Sequence, residues 1–237
     1  MLKAPAPKDP VVLSYLALRK AVGIVAFALP FAVALPWALV HHAVLTSISI
    51  YYYTGMRNVF VGSLCAIAMF MLCTRGYDWR DEIAGIFSAL CAIGVAFCPT
   101  SPASGATHRQ LVVGNVHYTF AALLFVTLAV FCLFLFRMSA QNHQVTHKKI
   151  QRNVVYTVCG IVIVTSLALL PLLTLLLHVR YVFAQVAPGI FFETTSLLSF
   201  GLAWLVKGET FLKDENPQPA VTRTTDGHVF IDSPNPS

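Results

Sequence analysis

Long apolar stretches alternate with short polar ones along this chain, and the apolar stretches have the length of helices that cross a bilayer. Six can be marked: 21–40, 58–74, 83–98, 112–136, 154–177 and 189–206. The first five contain no Asp, Glu, Lys or Arg, and the sixth contains one acid, Glu193. A spanning helix needs about 20 mainly apolar residues, so the pattern predicts an all-α polytopic membrane protein, a bundle of six transmembrane helices over 21–208. Pro30 and Pro36 are expected to kink the first helix, Pro99 to stop the third, and Pro188 to stand just ahead of the sixth. The second and third runs have about 16 apolar residues, roughly 24 Å at 1.5 Å per residue, against a hydrocarbon core of about 30 Å. These two helices must borrow flanking residues such as Tyr53 and Trp79, or thin the bilayer around them.

Outside the runs, residues 1–20 open with Pro5, Pro7 and Pro10, followed by a short apolar piece at 11–18 that is expected to lie at the interface. The small-residue pattern Ala32-Val33-Ala34 falls inside the first run, which favours a retained signal anchor over a cleaved leader. The polar, Pro-rich segment 209–237 reads as a disordered tail.

Charge then orients the chain. Lys and Arg number sixteen. Thirteen fall in the head, in the second-to-third and fourth-to-fifth loops and in the tail; only Arg57, Arg109 and Arg180 fall on the other side. An asymmetry that alternates with every span places both termini in the cytoplasm. With 57% apolar and 11% charged residues, and a mean hydropathy of +0.72, the net charge of +6 reads as a topology signal, not as a nucleic-acid surface. The six cysteines (Cys65, Cys73, Cys91, Cys98, Cys132, Cys159) lie in apolar runs without a CxxC pair, so they read as inert thiols.

Candidate chemistry gathers at the non-cytoplasmic side. Glu193 is the one acid inside a predicted span, and it should find a partner. His117 opens the fourth helix at similar depth, Arg57 and Asn58 open the second, and Ser47, Ser49 and Tyr53 lie just outside. Two readings fit. In one, these seven residues line an outward-facing pocket in which Arg57 and the helix N–H groups attract an anionic lipid headgroup. There His117 and Glu193 act as acid, base or orienting groups. In the other, the same residues form a lock between helices two, four and six. Tyr51-Tyr52-Tyr53 with Trp37 fit an interfacial aromatic belt, and His41-His42 an ordinary polar helix end. His143 and His147 are four apart but lie among lysines. No HExxH, Gly-rich phosphate loop or GxSxG elbow is present, so no metal and no cofactor is expected.

The pattern Ser47-Ile-Ser-x-Tyr-Tyr-x-Thr-x-x-Arg-x-x-Phe-Val-Gly62 resembles that of a family of small uncharacterised bacterial integral membrane proteins. So do Arg75-Gly-Tyr-Asp78, Gly94-Val-Ala-Phe-Cys-Pro-Thr100, the His117 segment, Phe192-Glu193 and Ala203-Trp-Leu-Val-Lys-Gly208. The likeness covers about residues 40–210 and implies a six-helix protein of a bacterial inner (plasma) membrane. In general plan the chain is also similar to the DRAM/Frag/Sfk membrane family, some of whose members are linked to lipid handling. Ser49-x-x-x-Tyr53 echoes the Ser-x-x-x-His of the CREST membrane hydrolases, but Tyr replaces His and the late His-x-x-x-His is missing, which argues against a zinc amidase. The leading expectation is a non-enzymatic lipid- or amphiphile-binding protein. A lipid hydrolase or transferase using His117 and Glu193 comes second, and a small-solute transporter third.

Overall fold

The computed structural model describes residues 10–73, 79–102, 105–138, 147–176, 188–212, 222–223 and 229–230. Six helices carry the chain: α1 (Pro10–His41), α2 (Arg57–Cys73), α3 (Trp79–Phe97), α4 (His108–Leu133), α5 (His147–Leu176) and α6 (Pro188–Lys207). Two 3-10 turns, Ser49–Tyr53 and Leu135–Arg137, lie at opposite ends of the helices. Among the described residues, four stretches are long and apolar enough to cross a membrane: Ser14–His41, His108–Arg137, His147–Leu173 and Pro188–Lys207. α2 has only 17 residues, and α3 carries Arg80, Asp81 and Glu82 in its first turn, so these two fall short as their apolar runs foretold.

Most differences from the sequence reading are at helix starts. The piece at 11–18 is not separate; α1 runs unbroken through it and through Pro30 and Pro36 for 32 residues. α4 begins at His108 instead of 112 because Thr107 caps it. The Thr107 hydroxyl accepts from the Gln110 N–H at 3.4 Å, and Gln110 Oε1 accepts from the Thr107 N–H at 2.8 Å, a reciprocal capping box. α5 starts at His147, seven residues ahead of the apolar run, and Pro188 is the first residue of α6, where its missing N–H costs nothing. His143 lies outside the described residues. Within the tail, Thr222–Arg223 (β1) pairs antiparallel with Val229–Phe230 (β2); the remainder of the tail from 213 on, where disorder was expected, lies outside the described residues.

Each helix packs against its sequence neighbours, and α6 returns against α1 to close a ring. The closure depends on two glycines. A Cβ on Gly23 would lie 2.9 Å from the Gly201 carbonyl oxygen, and one on Gly201 would lie 2.8 Å from the Phe27 backbone nitrogen. Small residues let the two backbones approach, as is common where helices associate in lipid. Inside, Leu29, Met71, Ile163 and Phe200 are fully buried. Outside, the ring presents large apolar side chains on several sides, with Ile24 at 57%, Leu90 at 61%, Ile161 at 54% and Phe191 at 60% exposure. A surface of that kind suits hydrocarbon and not water.

The ring has two chemically distinct ends. At one, Trp37 and His41 stack (3.5 Å between centroids), near the tyrosine turn. The α3–α4 connection and the start of α6 are tied to that turn by hydrogen bonds. The other end holds Arg19, Lys149, Arg152 and Lys207.

Candidate functional site

The tyrosine end is built around the carboxyl group of Glu193, which is buried although the residue as a whole is only partly so. Its Oε1 accepts from the Ser47 hydroxyl and its Oε2 from the Ile48 N–H, both at 2.7 Å. The segment is held in place to present both donors because Ser47 Oγ folds back to accept from the Ser49 N–H at 3.1 Å. Gly189 allows α6 this close: a Cβ there would meet the Thr46 carbonyl oxygen at 2.6 Å, the same oxygen that accepts from the Ile190 N–H at 2.8 Å.

The expected partnership of Glu193 with Arg57 and His117 is therefore corrected. Among the described residues, Glu193 forms no ion pair with either. Arg57 is exposed, donates to the Tyr52 hydroxyl at 2.7 Å and lies over the Tyr52 ring at 4.4 Å. Neighbouring Asn58 is exposed as well. His117, at 1% exposure, brings Nδ1 to 2.6 Å from the Cys98 carbonyl oxygen. A carbonyl can only accept, so Nδ1 carries the proton. Cys98 follows the last residue of α3, so His117 caps the C-terminal end of that helix from across the α3–α4 interface. The acid/base pairing of His117 with Glu193 is thus not formed: the histidine ties α3 to α4, and the glutamate ties α6 to the tyrosine turn.

Tyr51 and Tyr53 divide the turn between core and surface. Tyr51 is fully buried, packs edge-on against Trp37 (6.3 Å) and accepts from the Leu45 N–H at 3.2 Å. This goes beyond the expected interfacial belt, because Tyr51 plugs the end of the ring. Tyr53 points the other way and donates to the Thr100 carbonyl at 2.6 Å, while the Thr100 hydroxyl bonds Tyr118 at 2.7 Å. Although the ring is exposed, local desolvation of the hydroxyl, with Tyr52 and Tyr118 alongside, raises it above the usual tyrosine value.

Beside Tyr53 a cleft of about 400 Å³ opens, lined by Tyr53, Pro99, Thr107, Arg109, Gln110 and Val113. Of the seven sequence-picked binding residues only Tyr53 lines it. Thr107, Arg109 and Gln110, which the sequence reading did not single out, line it too, although Thr-x-x-Gln is a readable helix-start signature. Among the described residues, no group of three or more His, Cys, Asp or Glu is placed to hold a metal ion.

Four helices of spanning length and a largely apolar exterior mark the chain as a helical membrane protein. Compared with known proteins, it matches no family model, no curated protein and no solved structure.

Proposed function

We propose that all six helices cross a bacterial inner (plasma) membrane with both termini in the cytoplasm, and that the protein binds a lipid or other amphiphile at its non-cytoplasmic end without acting on it. The alternation of Lys and Arg between the loops supports the orientation, and the resemblance over about residues 40–210 supports the membrane.

The observation that carries the binding reading is the composition of the cleft. Pro99 and Val113 offer an apolar wall, while Tyr53, Gln110 and the exposed guanidinium of Arg109 offer polar groups. A pocket of a few hundred Å³ with apolar walls and few polar groups is the usual form of a small-molecule site. Arg109 takes the part first assigned to Arg57, since Arg57 is already engaged with Tyr52. The test is native mass spectrometry of full-length protein released from mild detergent. Arg109→Ala is expected to reduce retained anionic amphiphile several-fold with an unchanged unfolding temperature. Equal retention by the variant and the parent protein would contradict the reading.

A further inference from the structure

The polar groups lining the cleft beside Tyr53 differ in what they still have to offer a ligand. Gln110 Oε1 accepts from the Thr107 N–H at 2.8 Å and from the Thr107 hydroxyl at 3.0 Å, which leaves the N–H₂ end of that amide to donate. The two hydroxyl protons are spent as well, that of Tyr53 on the Thr100 carbonyl and that of Thr107 on Gln110. Arg109 is exposed, and its guanidinium has no hydrogen-bond or ion-pair partner among the described residues. Nor does any Asp or Glu among them line the cleft. What remains is the charge of Arg109 and, next to it in the first turn of α4, the Gln110 amide donor.

That set selects a head group by its charge. A cationic head would meet Arg109 with no acid to offset it, and a neutral alcohol would leave the guanidinium unpaired. A phosphate monoester carries about −1.5 to −2 at neutral pH, more than Arg109 balances. A carboxylate carries a single charge, and its two oxygens match the guanidinium fork. Size selects the tail. At roughly 30 Å³ for each small group, the share one water takes in the liquid, a cleft of about 400 Å³ holds about thirteen of them. A carboxylate and most of one medium-length chain fit in that space; the two acyl chains of a phospholipid do not. The polarity runs the right way, because Arg109 and Gln110 stand one turn nearer the start of α4 than Val113 does. Val116, exposed on the next turn, extends the apolar wall towards the lipid.

We propose that, granted the cleft as the amphiphile site, its occupant is a single-chain carboxylate of the fatty-acid class. The carboxylate pairs with Arg109 and Gln110, and the chain runs along Pro99 and Val113 towards Val116.

The test offers full-length protein in mild neutral detergent an equimolar mixture of dodecanoate, dodecanol, dodecyl phosphate and phosphatidylglycerol, read by native mass spectrometry. One dodecanoate per protein is expected, retained about tenfold over dodecanol, as a charge-assisted hydrogen bond implies, and ahead of the other two. In a series of carboxylates, retention should rise roughly fourfold per added methylene while the chain is short, then level off once further carbons leave the cleft. Arg109→Ala, at an exposed position, should remove the preference for dodecanoate over dodecanol. Dodecyl phosphate or phosphatidylglycerol retained ahead of dodecanoate, and lost in Arg109→Ala, would overturn the carboxylate while leaving the cleft an anionic-amphiphile site. A preference for dodecanoate that persists in the variant would overturn the proposal. So would a chain-length series in the parent protein that climbs without levelling, the mark of partition onto the exposed faces. Retention of no probe would remove the amphiphile site itself along with its proposed occupant.

Discussion

Glu193 lies in the second turn of α6, in a helix otherwise free of charge until Lys207. A carboxylate deep in hydrocarbon costs about 2.5–3.5 kcal/mol, and the chain offsets this with donors from Ser47 and Ile48. Glu193→Gln keeps the shape but replaces one acceptor oxygen with an N–H₂ that faces other donors. Loss of such a charge-assisted bond is expected to destabilise the folded protein by about 1.5–3 kcal/mol. Ser47→Ala, which leaves the Ile48 N–H in place, should cost about 1 kcal/mol. Reversible unfolding in detergent distinguishes the two; equal effects would mean that the Ile48 N–H contributes little. The acid itself was legible in the sequence, since it stands alone in an apolar run. Its partners were not, because one of its two donors is a backbone N–H, a group that every residue except proline carries. His117 was legible as a polar residue near the start of the fourth run, but its burial and its carbonyl acceptor were not, because a carbonyl leaves no mark on residue type either.

Among the elements, the apolar centres of all six helices were readable, and the starts of α4 and α5 were not. Their first turns are polar, so a hydropathy pattern assigns them to loops; only the Thr107–Gln110 box distinguishes such a turn from a connection. The crossing of α1 and α6 was equally hidden, since Gly23 and Gly201 are 178 positions apart in the chain. Gly201→Ala would place its Cβ within 3 Å of backbone atoms of α1, forcing the helices apart. The expected cost is about 1–3 kcal/mol, read as a lower unfolding temperature. Gly62→Ala, where a Cβ meets nothing within 4 Å, is the control and should be silent or slightly stabilising. Matching losses at both sites would contradict the tight crossing.

For the molecule as a whole, the ring order places the short helices α2 and α3 side by side, so one flank of the protein has a thinner apolar belt than the rest. The proposed orientation puts Cys73, exposed at the end of α2, on the cytoplasmic side. In a variant keeping only that cysteine, an impermeant maleimide should label inside-out membrane vesicles and spare intact cells; the reverse pattern would invert the topology. The central claim, an amphiphile held beside Tyr53 and Arg109, is tested most directly with a photoactivatable anionic lipid in native membranes, the crosslinks being mapped by peptide mass spectrometry. Adducts concentrated on residues 99–113 and around Tyr53, and lost with Arg109→Ala, are the predicted result. Adducts spread evenly over the exposed apolar faces of the helices, unchanged by that substitution, would contradict it.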